Sequence, residues 1–247
     1  MINQTANFNP HLSVDCVVFG FDGEDLCVLL IERIGSNGLY SNQKKYKLPG
    51  DLIHIREDLD GAAKRVLAEL TGLNNIYLQQ FSVFGNPERI DDHEDKMWLE
   101  ETTGVVINRV VTTAYYSLIR IDKSKPENEL SHHATWHRIT DLPSLTFDHE
   151  QIITKGLESL RGEIRFEPIC FELLPGKFTI RQIQSLYEAI IGHELDNRNF
   201  RKKLLKADYI EALDEKQQGV AHKPALFYQF DRQKYEDSKK DILYYNF

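Results

Sequence analysis

The spacing of apolar residues changes several times along this chain, and each change marks an element. Residues 14–33, VDCVVFGFDGEDLCVLLIER, contain two apolar runs separated by Asp-Gly-Glu-Asp. Such runs predict two strands, joined by a turn that Asp-Gly favours. YKLPGDLI, at 46–53, predicts a short strand interrupted at Pro49-Gly50. From about Asp60 to Thr71 the spacing becomes helical, and Gly72 is placed to end the helix. Strands are predicted again in IYLQQFSVFG (76–85), RVVTTAYYSLIRI (109–121) and ATWHRITDLP (134–143), followed by a helix in HEQIITKGLESLRGEI (149–164). After a bridge, RFEPICFELLPGK, the pattern reads helix (179–192), helix (197–208) and hairpin (209–230). The tail YEDSKKDILYYNF predicts no definite element.

These elements divide the chain into a first domain over 1–165, a second over 166–235 and a tail over 236–247. The length of 247 residues is enough for such a division. The formal net charge of -8 argues against nucleic acid until its distribution is considered. Residues 170–235 carry 11 Lys/Arg against 9 Asp/Glu, whereas 1–169 carry 17 against 26. The longest apolar runs are far too short to span a bilayer, and the start shows no signal-peptide pattern. Cys16, Cys27 and Cys170 lie far apart beside apolar residues. They predict buried thiols in a reducing cytoplasm rather than a disulfide or zinc framework.

The helix beginning near Asp60 carries the first chemical question. Positions 66, 69 and 70 share a face, and three glutamates at that spacing would hold a divalent cation. They are Val66, Glu69 and Leu70. With Ala62, Ala63 and Leu67, the two aliphatic residues form a stripe suited to a core. An ion there would be desolvated with little compensation. The stretch GDLIHIREDLDGAAKRVLAELTG, 50–72, nevertheless resembles the signature of the Nudix family: Gly, five residues, Glu, seven residues, Arg-Glu-hydrophobic-any-Glu-Glu-any-Gly-hydrophobic. Glu57, Arg65, Leu67, Glu69, Gly72 and Leu73 match it; Asp51, Val66 and Leu70 depart from it. KLPGD, FGNPER, AYYSLIRI and WHRITDLPSLTFDH extend the resemblance over roughly 12–165. It implies an α+β fold, a Nudix-like α/β/α sandwich with a mixed sheet. The lost glutamates are among the family's magnesium ligands, so no catalytic residue, metal or cofactor is expected. Glu57 and Arg65 are then an ion pair holding the loop on the helix, and Glu69 is solvated. The alternative is a Nudix hydrolase that cleaves a nucleoside diphosphate derivative at an atypical Mg2+ site through Glu57 and Glu69.

IDDHEDKMWLEETTGVV, 90–106, interrupts this pattern with Asp91, Asp92, Glu94, Asp95, Glu100 and Glu101, just after Glu88. It predicts a solvated loop or a short helix around Trp98; a lid or ligand-contact role is the alternative. The histidines show no metal spacing beyond the weak pair His133 and His137.

The second domain is informative for its cations. In LDNRNFRKKLLKADYIEAL, Asp196 is a plausible N-cap, and Phe200, Leu204 and Leu205 are placed to face a small core. Arg198, Arg201, Lys202, Lys203 and Lys206 then project outward, with Asn199 near the start. Such a face suits phosphates and the major groove. Two helices and a hairpin form a winged helix-turn-helix pattern, with Lys216, His222 and Lys223 at the wing tip. FTIRQIQSLYEAIIGHELDNRNFRKKL, 178–204, resembles the C-terminal domain of the Nudix-related transcriptional regulators, whose pattern is FTxRxLQxLYEAIxGxxLDxRNFRRKL. The resemblance implies a homodimeric, ligand-responsive regulator of a double-stranded DNA operator. Its effector would be a pentose or an ADP-ribose-like nucleotide, bound in the first domain, and it would need no membrane. Arg33, Lys47 and Arg89 are the pocket candidates that the resemblance suggests.

Overall fold

The first apolar run folds as the longest strand, β1 (Phe8–Phe21), and the rest of the first unit is built around it. The computed structural model describes residues 7–33, 44–121, 130, 133–164, 167–219 and 223–244. β1 is buried continuously from Ser13 to Phe21, as expected of a strand covered on both faces. It pairs in parallel with β6 (Val111–Arg120), from Leu12↔Val111 to Phe21↔Arg120. Its other edge is shared antiparallel by β2 (Leu26–Glu32) at one end and β4 (Gly50–His54) at the other. The sheet is completed by β3 (Tyr46–Lys47), β5 (Gln79–Phe84) and β7 (Ala134–Arg138).

Helices cover both faces of this mixed sheet, giving the sandwich. On one face, α1 (Leu59–Thr71) inserts Ala62, Ala63 and Val66 among Val14, Cys16, Ile53 and Tyr115. Asp58 caps its start by accepting from Gly61 N, and Gly72 ends it with a left-handed φ of 77°. On the other face, α3 (His149–Glu163) brings Gly156 against the sheet, where an added Cβ would lie 3.3 Å from Phe81 and 3.5 Å from Val17. The acidic insertion folds as α2 (His93–Thr103), capped by Asp92 and ended at Gly104.

The chain divides into two compact units between Leu160 and Arg161. The second unit contains α4 (Ile180–Ile191), α5 (Asn197–Leu204), β8 (Ile210–Lys216), β9 (Leu226–Phe230) and α6 (Arg232–Tyr244). Its core gathers Phe171, Phe178, Ile180, Ile183, Ile210 and Tyr228, with Phe171 stacked on Phe230 at 4.6 Å. Two details of the expected pattern are corrected. The recognition-type helix stops at Leu204, so Lys206 lies beyond it, and Leu205 is 40% exposed rather than in the core. The tail, for which no definite element is predicted, is mostly helical, with Tyr235 packed on Tyr209 and Phe230. Among the described residues, no helix is long and apolar enough to cross a membrane.

Candidate functional site

Glu57 lies in the turn before α1, and both oxygens of its carboxylate are engaged by the chain. Oε1 accepts from His54 N at 2.7 Å and Arg65 Nη2 at 2.6 Å; Oε2 accepts from Arg65 Nε at 2.9 Å. Arg65 also donates to Leu52 O and to Glu69 Oε2, both at 3.1 Å. The guanidinium holds the Glu57 pKa down to about 2. Val66 is fully buried, and Leu70 packs beside it. Glu69 points outward, with its side chain 59% exposed. Magnesium needs several oxygens converging on one point. One carboxylate held by an arginine, one outward carboxylate and two aliphatic side chains do not fit it. Among the described residues, no three of His, Cys, Asp and Glu are grouped to hold a metal ion.

A cavity of about 330 Å3 adjoins this helix through Leu70. Asp15 of β1 and Gly50 of β4 lie at its floor. A Cβ on Gly50 would fall 1.9 Å from Asp15 Oδ1, so only glycine allows this approach. Asp15 Oδ2 lies 3.5 Å from Arg89 Nη2, and Arg89 grips Asp148 with Nη2–Oδ1 at 2.8 Å and Nε–Oδ2 at 3.0 Å. His149 Nδ1 accepts from Leu48 N at 3.0 Å, which leaves its proton on Nε2, 3.5 Å from Asp15 Oδ1. Burial keeps this imidazole below its ordinary pKa, outweighing the pull of Asp15.

One wall is α2. Asp95, only 3% exposed, accepts from Phe147 N at 2.7 Å and Lys45 Nζ at 3.3 Å, and it pairs with Arg33. Trp98 presents its ring to Arg33 and Lys47, 5.5 and 5.8 Å from the ring centroid. Phe147 faces the same ring with a φ of 55°, a strained value for an aromatic residue. Lys47 Nζ donates to Gly50 O at 2.8 Å, and burial lowers its pKa. The remaining walls mix aliphatic residues such as Leu70, Leu99 and Val110 with polar ones such as Asp51, Thr102 and Thr103.

In the second unit, Asp196 accepts from Asn199 N at 2.8 Å and caps α5. Phe200 and Leu204 turn inward; Arg198, Asn199, Arg201, Lys202 and Lys203 are exposed, as is Lys206 past the helix end. Arg201 Nη2 donates to Tyr228 OH at 3.1 Å. The unit's ion pairs include Lys177–Glu215, Arg181–Glu188 and Lys234–Glu211. Among the described residues, Arg198, Lys202, Lys203 and Lys206 have no carboxylate partner in ion-pair contact. Lys216 ends β8, and Lys223 stands exposed before β9. His222 lies outside the described residues.

Residues 9–155 match the family model of the NUDIX domain, and residues 170–230 match that of the NrtR DNA-binding winged helix domain. The chain belongs to the Nudix-related transcriptional regulators. A curated relative, the ADPR responsive transcriptional repressor NtrR of Acinetobacter baylyi, is 29% identical over 242 residues, covering 96% of this chain and 88% of that protein. The crystal structure of Shewanella oneidensis NrtR is similar with a TM-score of 0.63 and 25% identity, over 89% of this chain and 93% of that one. The crystal structure of the same protein with a 27mer DNA has the same fold, with a TM-score of 0.65 and 24% identity over 91% and 95% of the two chains.

In this regulator, Arg33, Lys47 and Arg89 all border one cavity, although they come from three separate sequence segments. Glu57, Arg65 and Glu69 form a local ion-pair cluster instead of a metal centre. Of the two readings of the acidic insertion, the short helix around Trp98 is the one that forms: it lines the cavity with Trp98, Leu99, Thr102 and Thr103, while Asp95 is buried behind Arg33. Sequence reasoning passed over Asp15, Asp148 and His149. Asp15 carried a usable signal, being a carboxylate within a doubly buried strand, where a charge persists only if paired. The other two stand at the start of α3 and acquire partners only through folding.

Proposed function

We propose that this regulator binds a double-stranded operator in the cytoplasm as a homodimer. Its α5 would enter the major groove, with the β8–β9 hairpin as the wing, and its affinity would respond to a small effector in the first unit's cavity. The observation that carries the effector reading is the pairing of charge around the cavity. Arg33 faces Asp95, and Arg89 faces Asp15 and Asp148. Cations already matched to carboxylates offer little to a diphosphate, and the residues of α1 do not fit the magnesium that usually accompanies one. Paired carboxylates and guanidinium groups beside an indole face suit the hydroxyls and CH face of a pentose ring. An effector that matters must bind one DNA-binding arrangement better than the other.

A second reading, an ADP-ribose-like nucleotide, is favoured by the relative's name and by Lys47. Among the described residues, the ammonium of Lys47 bonds a carbonyl rather than a carboxylate. Both ligands present ribose-type hydroxyls, so the arms of one titration separate them. Calorimetry with free pentoses and with ADP-ribose, with and without magnesium, is expected to give saturable heat with a pentose. Heat with ADP-ribose alone, abolished by Lys47→Met, would establish the second reading. For the DNA face, Arg198→Ala with Arg201→Ala is expected to abolish operator binding without unfolding the chain, the lost Arg201–Tyr228 hydrogen bond costing about 1 kcal/mol of stability. Unchanged affinity in a gel-shift titration would remove α5 from the interface.

A further inference from the structure

Gln184 is a glutamine almost completely buried in α4, with 2% of its surface exposed. Its Nε2 shares two hydrogens among three acceptors, Glu188 Oε1 at 2.8 Å, Leu195 O at 3.0 Å and Asn197 Oδ1 at 2.6 Å. The first two partners fix the orientation of this amide. A peptide carbonyl and a carboxylate can only accept, so the NH2 of Gln184 must face them. Asn197, which shares the same NH2, must then turn its oxygen inward. Glu188 Oε1 also accepts from Leu195 N at 3.0 Å, so the turn between α4 and α5 is tied on both sides. Asn197 is exposed and is the first residue of α5. With Oδ1 held by Gln184, its Nδ2 is left on the outward side as a donor.

We infer that Asn197 is a DNA contact residue that donates to a backbone phosphate, and that Gln184 is the positioning residue that sets its orientation. The inference rests on the reading that α5 docks on DNA. Asparagine reads adenine by using its oxygen and nitrogen together, on N6 and N7. The oxygen of Asn197 is already held inward by Gln184, which turns it away from that paired geometry, whereas a phosphate oxygen needs only a donor. Phosphate contacts fix the register of a protein on the duplex without selecting sequence. Asn199, two residues on, uses only its backbone N–H toward Asp196 among the described contacts, so its whole amide remains for base edges. The two asparagines therefore divide positioning from readout.

The test starts from the duplex that the full-length wild-type chain enriches from a random-sequence library. Asn197→Ala is expected to weaken binding to every duplex by a similar factor, about tenfold for one lost hydrogen bond to a charged group, with the ranking of sequences kept. A scan of neutral methylphosphonates along the duplex should reveal one position that weakens the wild type but not Asn197→Ala. Asn197→Asp keeps the acceptor for Gln184 and suits a helix start, so it controls for folding; it should bind more weakly than Asn197→Ala. Altered base preference in Asn197→Ala, equal affinity of the variants and wild type, or no methylphosphonate position specific to Asn197 would each overturn the inference. A wild-type chain that enriches no sequence would overturn the docking reading beneath it.

Discussion

At Glu57 the family position keeps its carboxylate, and local hydrogen bonds define what it does here. Its oxygens are both engaged by Arg65, and one of them also accepts from His54 N. Its folded pKa of about 2 lies below the ordinary value near 4.3. The pair's contribution is therefore complete above about pH 4.5 and is lost as pH falls toward 2. Glu57→Gln is expected to cost about 1–3 kcal/mol at pH 7, through the weakened hydrogen bonds of Arg65. The difference from wild type should shrink at pH 3, and urea unfolding at both values measures it. Gly50 is the second decisive residue. Gly50→Ala places a methyl group where Asp15 Oδ1 stands, so strand or carboxylate must move. A loss of about 1–3 kcal/mol is expected from such overpacking, along with weaker effector binding, read by thermal melting and calorimetry.

At the scale of elements, α1 is a packing helix. Its apolar stripe was legible from spacing alone, because positions 62, 63, 66, 67 and 70 can face only one way. Restoring one glutamate therefore does not restore a metal site. Val66→Glu would put a carboxylate at a position with no exposed surface, against Val14 and Tyr115. A loss above about 3 kcal/mol is expected, with no magnesium-dependent stabilisation; a melting shift on adding magnesium would contradict this. α2 was less legible. Its helical spacing around Trp98 was visible, but its acidic composition suggested solvent. The docking of Asp95 depends on Arg33, Lys45 and Phe147 N, which lie about 50 or more residues away in sequence and leave no local pattern.

At the scale of the whole molecule, the acid excess lies in the first part of the chain, whereas the second part is nearly balanced and presents several cations on α5. The first unit pairs its cavity cations internally, while the second leaves several cations of α5 facing outward. A net charge of -8 would keep such a chain off nonspecific polyanions, so DNA affinity should rest on local contacts. Binding is accordingly expected to fall steeply with salt, by about 10³-fold or more between 50 and 200 mM for six phosphate contacts. A shallow slope in gel-shift titrations would count against the basic face. The proposed two-fold arrangement predicts a dimer by light scattering, and a monomer at micromolar concentration would refute it.

The sequence by itself determined the order of most elements, the aliphatic substitution on α1 and the outward cations of α5. Each depends on residues a few positions apart, so spacing encodes it. Only the tertiary structure decided that Arg33, Lys47 and Arg89 share one cavity, that most of their charge is already matched, and that Gln184 holds Asn197 by its oxygen. Those facts join residues from separate elements. Burial and partner geometry set them, and neither exists until the chain has folded.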